Sequence, residues 1–252
     1  MEISPATAYL WFSFLEEIQD ETLIAEYRRL LPSSERDKLG RYRFDRHKKR
    51  YLVGRALIRT VLSSCTGVAP DQITLARETR GRPYLLKSGK KPAPQFSLSY
   101  TDGLVAVALT SECRVGVDIE NTTRDIDCLE IAESYFAPAE YMELKQLPQP
   151  LQKERFFEFW TLKEAYMKAQ GSGLQMPLDE VSFSSGDKKE YFKKWVPLAT
   201  KDGRQWQFRT FKPSERYRAS LCVHKATEIS LSVISKKVIP LVKEDAFTMS
   251  ME

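Results

Sequence analysis

Phe159-Trp160-Thr161-Leu162-Lys163-Glu164-Ala165-Tyr166-Met167-Lys168-Ala169-Gln170-Gly171-Ser172-Gly173 is a helical run that holds three charges among aromatic and apolar residues and then stops on glycine. Upstream the helix extends to about Leu151, behind Pro148-Gln149-Pro150. Trp160 lies four residues before Glu164, and Met167 and Lys168 lie three and four after it. The carboxylate therefore stands on the rim of an apolar face beside an ion-pair partner. Taken alone, Lys163, Glu164 and Lys168 are an ordinary solvated Glu–Lys set on a helix surface. About forty residues upstream lies Gly116-Val117-Asp118-Ile119-Glu120. In a strand, Asp118 and Glu120 share one face. Two such carboxylates repel unless a cation or proton sits between them, and oxygen donors without His or Cys favour Mg²⁺ over zinc. The plainer reading is an exposed strand end with two solvated acids.

The chain has 252 residues, 42% apolar and 29% charged, a globular composition with room for one large domain or two small ones. No apolar run reaches membrane-helix length and no secretory start is visible, so a soluble cytoplasmic protein is expected. Cys65, Cys113, Cys128 and Cys222 show no C-x-x-C spacing, which suits reduced core thiols better than a zinc site. The net charge of +5 is uneven: from Arg28 to Arg59 twelve Lys or Arg face three acids. Such a segment suits phosphate groups or an acidic partner, or is simply a solvated helix face. Few aromatics stand among these cations, which argues against single-strand nucleic-acid binding. Phosphate-loop and dinucleotide fingerprints are absent, and His47 and His224 have no triad-like or metal-like neighbours.

In chain order, Tyr9 to Leu15 is expected as a strand and Glu21 to Leu31 as a helix. A basic helix follows, capped at Ser33, and a second runs from about Arg46 to Ser64 with an apolar stripe. Ile73 to Ala76 is a short strand, and loops span Arg80 to Tyr84 and the Lys- and Pro-rich tract to Pro94. Phe96 to Tyr100 and Leu104 to Leu109 form a hairpin about Thr101-Asp102-Gly103, followed by a strand at Arg114 to Glu120. Helices are expected at Ile126 to Phe136, Pro138 to Leu147 and Leu151 to Gln170, then short strands at Val181, Lys194, Gln205, Arg218 and Ile229, and a mobile tail. One long helix and several hairpin-ordered strands in each half make this an α+β chain with antiparallel sheets.

These pieces together resemble the Sfp-type 4'-phosphopantetheinyl transferases. The family's G-[IV]-D-[IVL]-E element is matched by Gly116 to Glu120, and W-[ST]-x-K-E-[AS]-x-x-K by Trp160, Thr161, Lys163, Glu164, Ala165 and Lys168. Phe96 to Thr101 is similar to F-[NS]-[IL]-S-H-[ST], Gly81-Arg82-Pro83 to a G-K-P loop, and Arg50 to Gly54 to R-x-L-x-G. The likeness runs in order over roughly residues 30 to 185.

The resemblance implies transfer of 4'-phosphopantetheine from coenzyme A to a serine of an apo acyl or peptidyl carrier protein, with release of 3',5'-ADP. It implies a pseudo-dimer of two similar subdomains, each a small antiparallel sheet on a long helix, with the active site in the cleft between them. The subdomains are then residues 1–112 on the nucleotide side and 113–240 on the metal and phosphate side, with a tail at 241–252. Asp118, Glu120 and Glu164 would hold Mg²⁺, and Lys168 would contact the diphosphate with Lys163 close by. Lys38, Arg50, Gly81, Arg82, Pro83, Ser99 and Tyr100 would serve the nucleotide. Asp118, Glu164 and Lys168 would be catalytic, with Glu164 or a water at the cation taking the serine proton. Ile131, Tyr135, Phe136, Tyr141 and Met142 are carrier-docking candidates or plain helix packing. Tyr100 replaces a histidine that contacts a coenzyme A phosphate, and Tyr51 replaces a small hydroxyl residue. A monomer without nucleic-acid or membrane partners is expected. The alternative is a non-catalytic module that binds carrier protein or coenzyme A.

Overall fold

A computed structural model describes residues 1–86, 93–173, 176–185, 195–197, 206–224 and 231–251. The Lys-rich part of the loop expected before Pro94, and the expected strand starts at Lys194, Gln205 and Ile229, lie outside the described residues. The chain forms two compact units.

The first unit comprises Met1–Thr79, Pro83–Glu112 and Ser230–Thr248. Its elements begin with β1 (Thr7–Phe14), α1 (Glu21–Arg29), α2 (Ser33–Gly40) and α3 (Asp45–Thr66). The short pair β2 (Leu75–Arg77) and β3 (Pro83–Leu85) and the hairpin β4 (Gln95–Thr101) and β5 (Leu104–Thr110) follow. Every residue of β1 is buried, as expected of a central strand covered on both faces. α3 is buried without interruption from Tyr51 to Arg59, so it is a core helix and not an amphipathic surface one. Its Leu57, Ile58, Val61 and Leu62 join Trp11, Val105, Val107 and Leu109 in one core. α2 starts at the predicted place, but Pro32 occupies its cap and makes no side-chain bond. Instead Glu35 ties α2 to α3 by accepting from Arg55 Nε at 2.9 Å and pairing with Arg59 Nη2 at 3.0 Å.

The second unit begins with β6 (Val115–Asn121), α4 (Cys128–Tyr135), α5 (Pro138–Gln146) and α6 (Gln149–Gln170). The pair β7 (Phe183–Ser185) and β8 (Trp195–Pro197) precedes the long hairpin β9 (Trp206–Ser214) and β10 (Tyr217–His224). β9, β10 and β6 pair antiparallel, and α6 lies across β6 and β10. Phe157, Phe159, Leu162, Ala165 and Tyr166 of α6 enter a core with Phe208 and Cys222.

The C-terminal segment corrects the subdomain limits expected from sequence. β11 (Ser232–Ile239) returns to the first unit and runs parallel to β1, with Thr7 opposite Ser232, and β12 (Lys243–Ala246) pairs with β11. β13 (Ser250–Met251) adds to β9. The stretch expected to close the second subdomain and trail off as a tail is therefore mostly sheet. Ser13 Oγ donates to Val238 O at 2.8 Å and Tyr27 donates its hydroxyl proton to Pro240 O at 2.9 Å, so buried polar groups of the first unit depend on it. The first sheet runs β12-β11-β1-β5-β4, mixed by that one parallel pairing, and the second β13-β9-β10-β6. Each unit thus sets a 22-residue helix on a sheet, the expected α+β construction. Among the described residues, no helix is long and apolar enough to cross a membrane.

Candidate active site

In β6, alternation places Gly116, Asp118 and Glu120 on one face and Val115, Val117 and Ile119 on the other. The first face meets α6. A Cβ on Gly116 would lie 1.9 Å from Ala165 O and 2.6 Å from Ala169 N, so helix backbone rests on strand backbone there. Ala165 and Ala169 supply the matching small side chains. Thr161, one turn earlier on α6, shares a 2.7 Å hydrogen bond with Ser220 of β10, the residue opposite Asp118. This contact gives the Ser/Thr of the W-[ST]-x-K-E pattern a physical role.

With α6 fixed so closely, its Glu164 and Lys168 fall beside the β6 carboxylates. Lys168 Nζ donates to Asp118 Oδ1 at 2.6 Å and to Val117 O at 3.2 Å. Glu120 pairs with the exposed Arg124 at 2.8 Å. Burial, then the charges of Asp118 and Glu120, raise the Glu164 carboxyl above the usual carboxylate range, while Lys168 opposes the shift. The sequence-predicted set Asp118, Glu120, Glu164 and Lys168 is therefore brought together. Its oxygen donors and excess negative charge fit a hard divalent cation in chemistry. Among the described residues, however, no three such side chains converge as a ready metal cage.

Lys163 has a different place from the one expected. Its side chain is fully buried, pairs with Glu140 Oε2 at 2.7 Å and donates to Leu178 O at 2.8 Å and to Val181 O. The ammonium also sits 5.2 Å from the Phe136 ring centroid. Its three protons are thus engaged within the core, so it is not a phosphate contact. Glu140 also accepts from Ala137 N at 3.1 Å and Phe183 N at 2.8 Å, which joins α5, α6 and β7 in one knot. Burial pulls both partners toward neutrality, Glu140 up and Lys163 down, and their mutual attraction opposes it. Lys163→Met strands the Glu140 carboxyl and is expected to cost about 3–5 kcal/mol in urea unfolding. Adding Glu140→Gln should recover part of that loss, and an unchanged midpoint in Lys163→Met would refute the assignment.

The nucleotide candidates are spread over several elements. In the first unit, Lys38 is exposed on α2 with Nζ 5.4 Å from the Tyr51 ring centroid. Arg50 pairs with Asp102 at 3.1 Å, Ser99 is buried in β4, and Pro83 opens β3. Tyr100 lies against α3 where Gly54 leaves space; a Cβ there would meet its ring at 2.1 Å. Burial pushes the Tyr100 phenol up to about 12, so it stays neutral. Gly81 takes φ +88°, and Arg82 is buried with Nη1 on Ala169 O at 2.7 Å, so Arg82 faces the end of α6. The docking candidates divide: Tyr135 and Met142 are exposed, whereas Phe136 is core.

Two family models match the chain: 4'-phosphopantetheinyl transferase, N-terminal, over residues 19–113, and the 4'-phosphopantetheinyl transferase superfamily over residues 114–222. The 4'-phosphopantetheinyl transferase HetI of Nostoc sp. is 32% identical over 176 residues, spanning 70% of this chain and 73% of its own. The chain belongs to the 4'-phosphopantetheinyl transferase superfamily. A 4'-phosphopantetheinyl transferase of Bacillus subtilis is 29% identical, over 75% of this chain and 80% of its own. The mouse L-aminoadipate-semialdehyde dehydrogenase-phosphopantetheinyl transferase is 26% identical, over 78% and 68%. The superfamily model ends at Cys222 and so includes both β6 and α6. As a member of this superfamily, the protein is a transferase.

Proposed function

We propose that this transferase moves 4'-phosphopantetheine from coenzyme A to a serine hydroxyl of an apo acyl or peptidyl carrier protein, releasing 3',5'-ADP, with Asp118, Glu120 and Glu164 holding Mg²⁺. The observation that carries the reading is the seating of Glu164 and Lys168 over the Asp118–Glu120 face, made possible by the missing Cβ of Gly116. A divalent cation held there would neutralise charge on the diphosphate.

The chain's own groups do the rest. Lys168 offers a point charge to the leaving phosphate, and its bond to Asp118 holds it on the β6 face until substrate arrives. Glu164, or a water at the cation, takes the serine proton. Lys38 and Arg50 are the charges this reading assigns to the nucleotide phosphates. The protein works as a cytoplasmic monomer.

The test is the intact mass of several apo carrier proteins after incubation with the protein, coenzyme A and Mg²⁺. The expected result is a phosphopantetheine mass gain that chelation of the metal abolishes. No gain on any carrier, with coenzyme A still bound, would favour a non-catalytic binding module.

A further inference from the structure

Arg82 belongs to the loop that the family likeness gives to the nucleotide, yet its guanidinium is aimed elsewhere. Residues Arg80–Arg82 group with the second unit. Gly81 at φ +88° turns the backbone, and Arg82, only 7% exposed, donates from Nη1 to Ala169 O at 2.7 Å. The next carbonyl, Gln170 O, accepts from Arg114 Nη1 at 2.6 Å. Met167 O accepts from Gly171 N at 2.9 Å and Ser172 N at 3.3 Å. On the far side of the helix stop, a Cβ on Gly173 would come within 3.0 Å of Arg80 O, so the loop backbone is packed against this end of α6.

A helix C-terminus leaves its last carbonyls without intrahelical donors and carries the negative end of the helix dipole. Two guanidinium groups on successive carbonyls answer both needs. Lys168 sits in this same turn, directly before Ala169, and its Nζ reaches Asp118 from there.

The geometry points to Arg82 as a positioning residue that holds the last turn of α6, and through it the Lys168 ammonium, rather than as a ligand of the nucleotide. Only the kinetic part of its test rests on the transferase reading.

Arg82→Ala, Arg82→Lys and wild type are compared in the full-length protein by three measurements: hydrogen exchange of amides in the last two turns of α6, coenzyme A affinity by calorimetry, and carrier-modification kinetics. In Arg82→Ala, exchange in those turns is expected to rise about tenfold or more. Its kcat should fall about tenfold while the coenzyme A Kd stays within about threefold of wild type. Arg82→Lys, whose ammonium can donate to the same carbonyl, should bring kcat back to within about threefold. Unchanged exchange in α6 overturns the inference. So does a coenzyme A Kd weakened about tenfold or more with kcat intact at saturation. Should Arg82→Ala fail to melt cooperatively, Arg82→Met, which keeps an extended side chain but has no donor, goes through the same measurements and is judged by the same outcomes. If wild type modifies no carrier, the functional reading falls while exchange still decides the role of Arg82.

Discussion

Gly116→Ala is expected to cut carrier modification by about a hundredfold, because displacements near 1 Å can cost that much at a reacting centre. The added methyl would lie 1.9 Å from Ala165 O, 2.6 Å from Ala169 N and 3.0 Å from Ala165 C. All three are helix backbone atoms, so no side-chain rotation relieves the clash. α6 must lift from β6, which carries Glu164 and Lys168 away from Asp118 and Glu120. Overpacking of this kind costs about 1–3 kcal/mol, so the urea midpoint should also fall. Gly40→Ala is the matched control, since nothing lies within 4 Å of the added carbon. It should leave turnover unchanged. Wild-type turnover in Gly116→Ala would remove the close helix–strand contact from the account.

Glu164→Gln should separate activity from stability. The amide keeps the shape of the side chain but can neither accept the serine proton nor contribute a full charge to a cation. Loss of a general base costs about 10²–10⁴-fold in rate. Without divalent metal, stability should hold or rise. Glu164 has a folded pKa raised above the usual 4.5, by burial first and then by Asp118 and Glu120. A carboxyl raised in the fold destabilises the protein as pH climbs past its unfolded value and through the folded one. The mutant lacks that penalty, so its advantage in urea unfolding should be nil in acid and grow with pH above 4.5. A fixed stability difference across pH, or turnover close to wild type, would contradict the placement of Glu164.

Much of this arrangement was legible because it is local. Asp118 and Glu120 share a face by strand alternation, and Glu164 and Lys168 share one by helical spacing. The α+β class followed from hairpin-ordered strands beside two long apolar helices. What escaped was set by distant partners. Lys163 stands one residue from Glu164, and helical spacing cannot say that it turns inward to Glu140, although the Pro138-x-Glu140 helix start was visible. Arg82 looks like a loop cation until the end of α6 is seen against it. β11 is weakly apolar, with Lys236 and Lys237 in its middle, and its place beside β1 depends on a strand at the opposite end of the sequence. The glycine of the G-V-D-I-E stretch carried no structural meaning until Ala165 and Ala169 were found against it.

The central claim is that the β6 carboxylates and Glu164 together hold the divalent cation that serves transfer. Mn²⁺ binding in the presence of coenzyme A, followed by electron paramagnetic resonance in wild type and Asp118→Asn, tests it most directly. A single tight ion per chain is expected in wild type, with at least about tenfold weaker binding in the mutant, where a carboxylate ligand is lost. Equal Mn²⁺ affinity in the two proteins would contradict it.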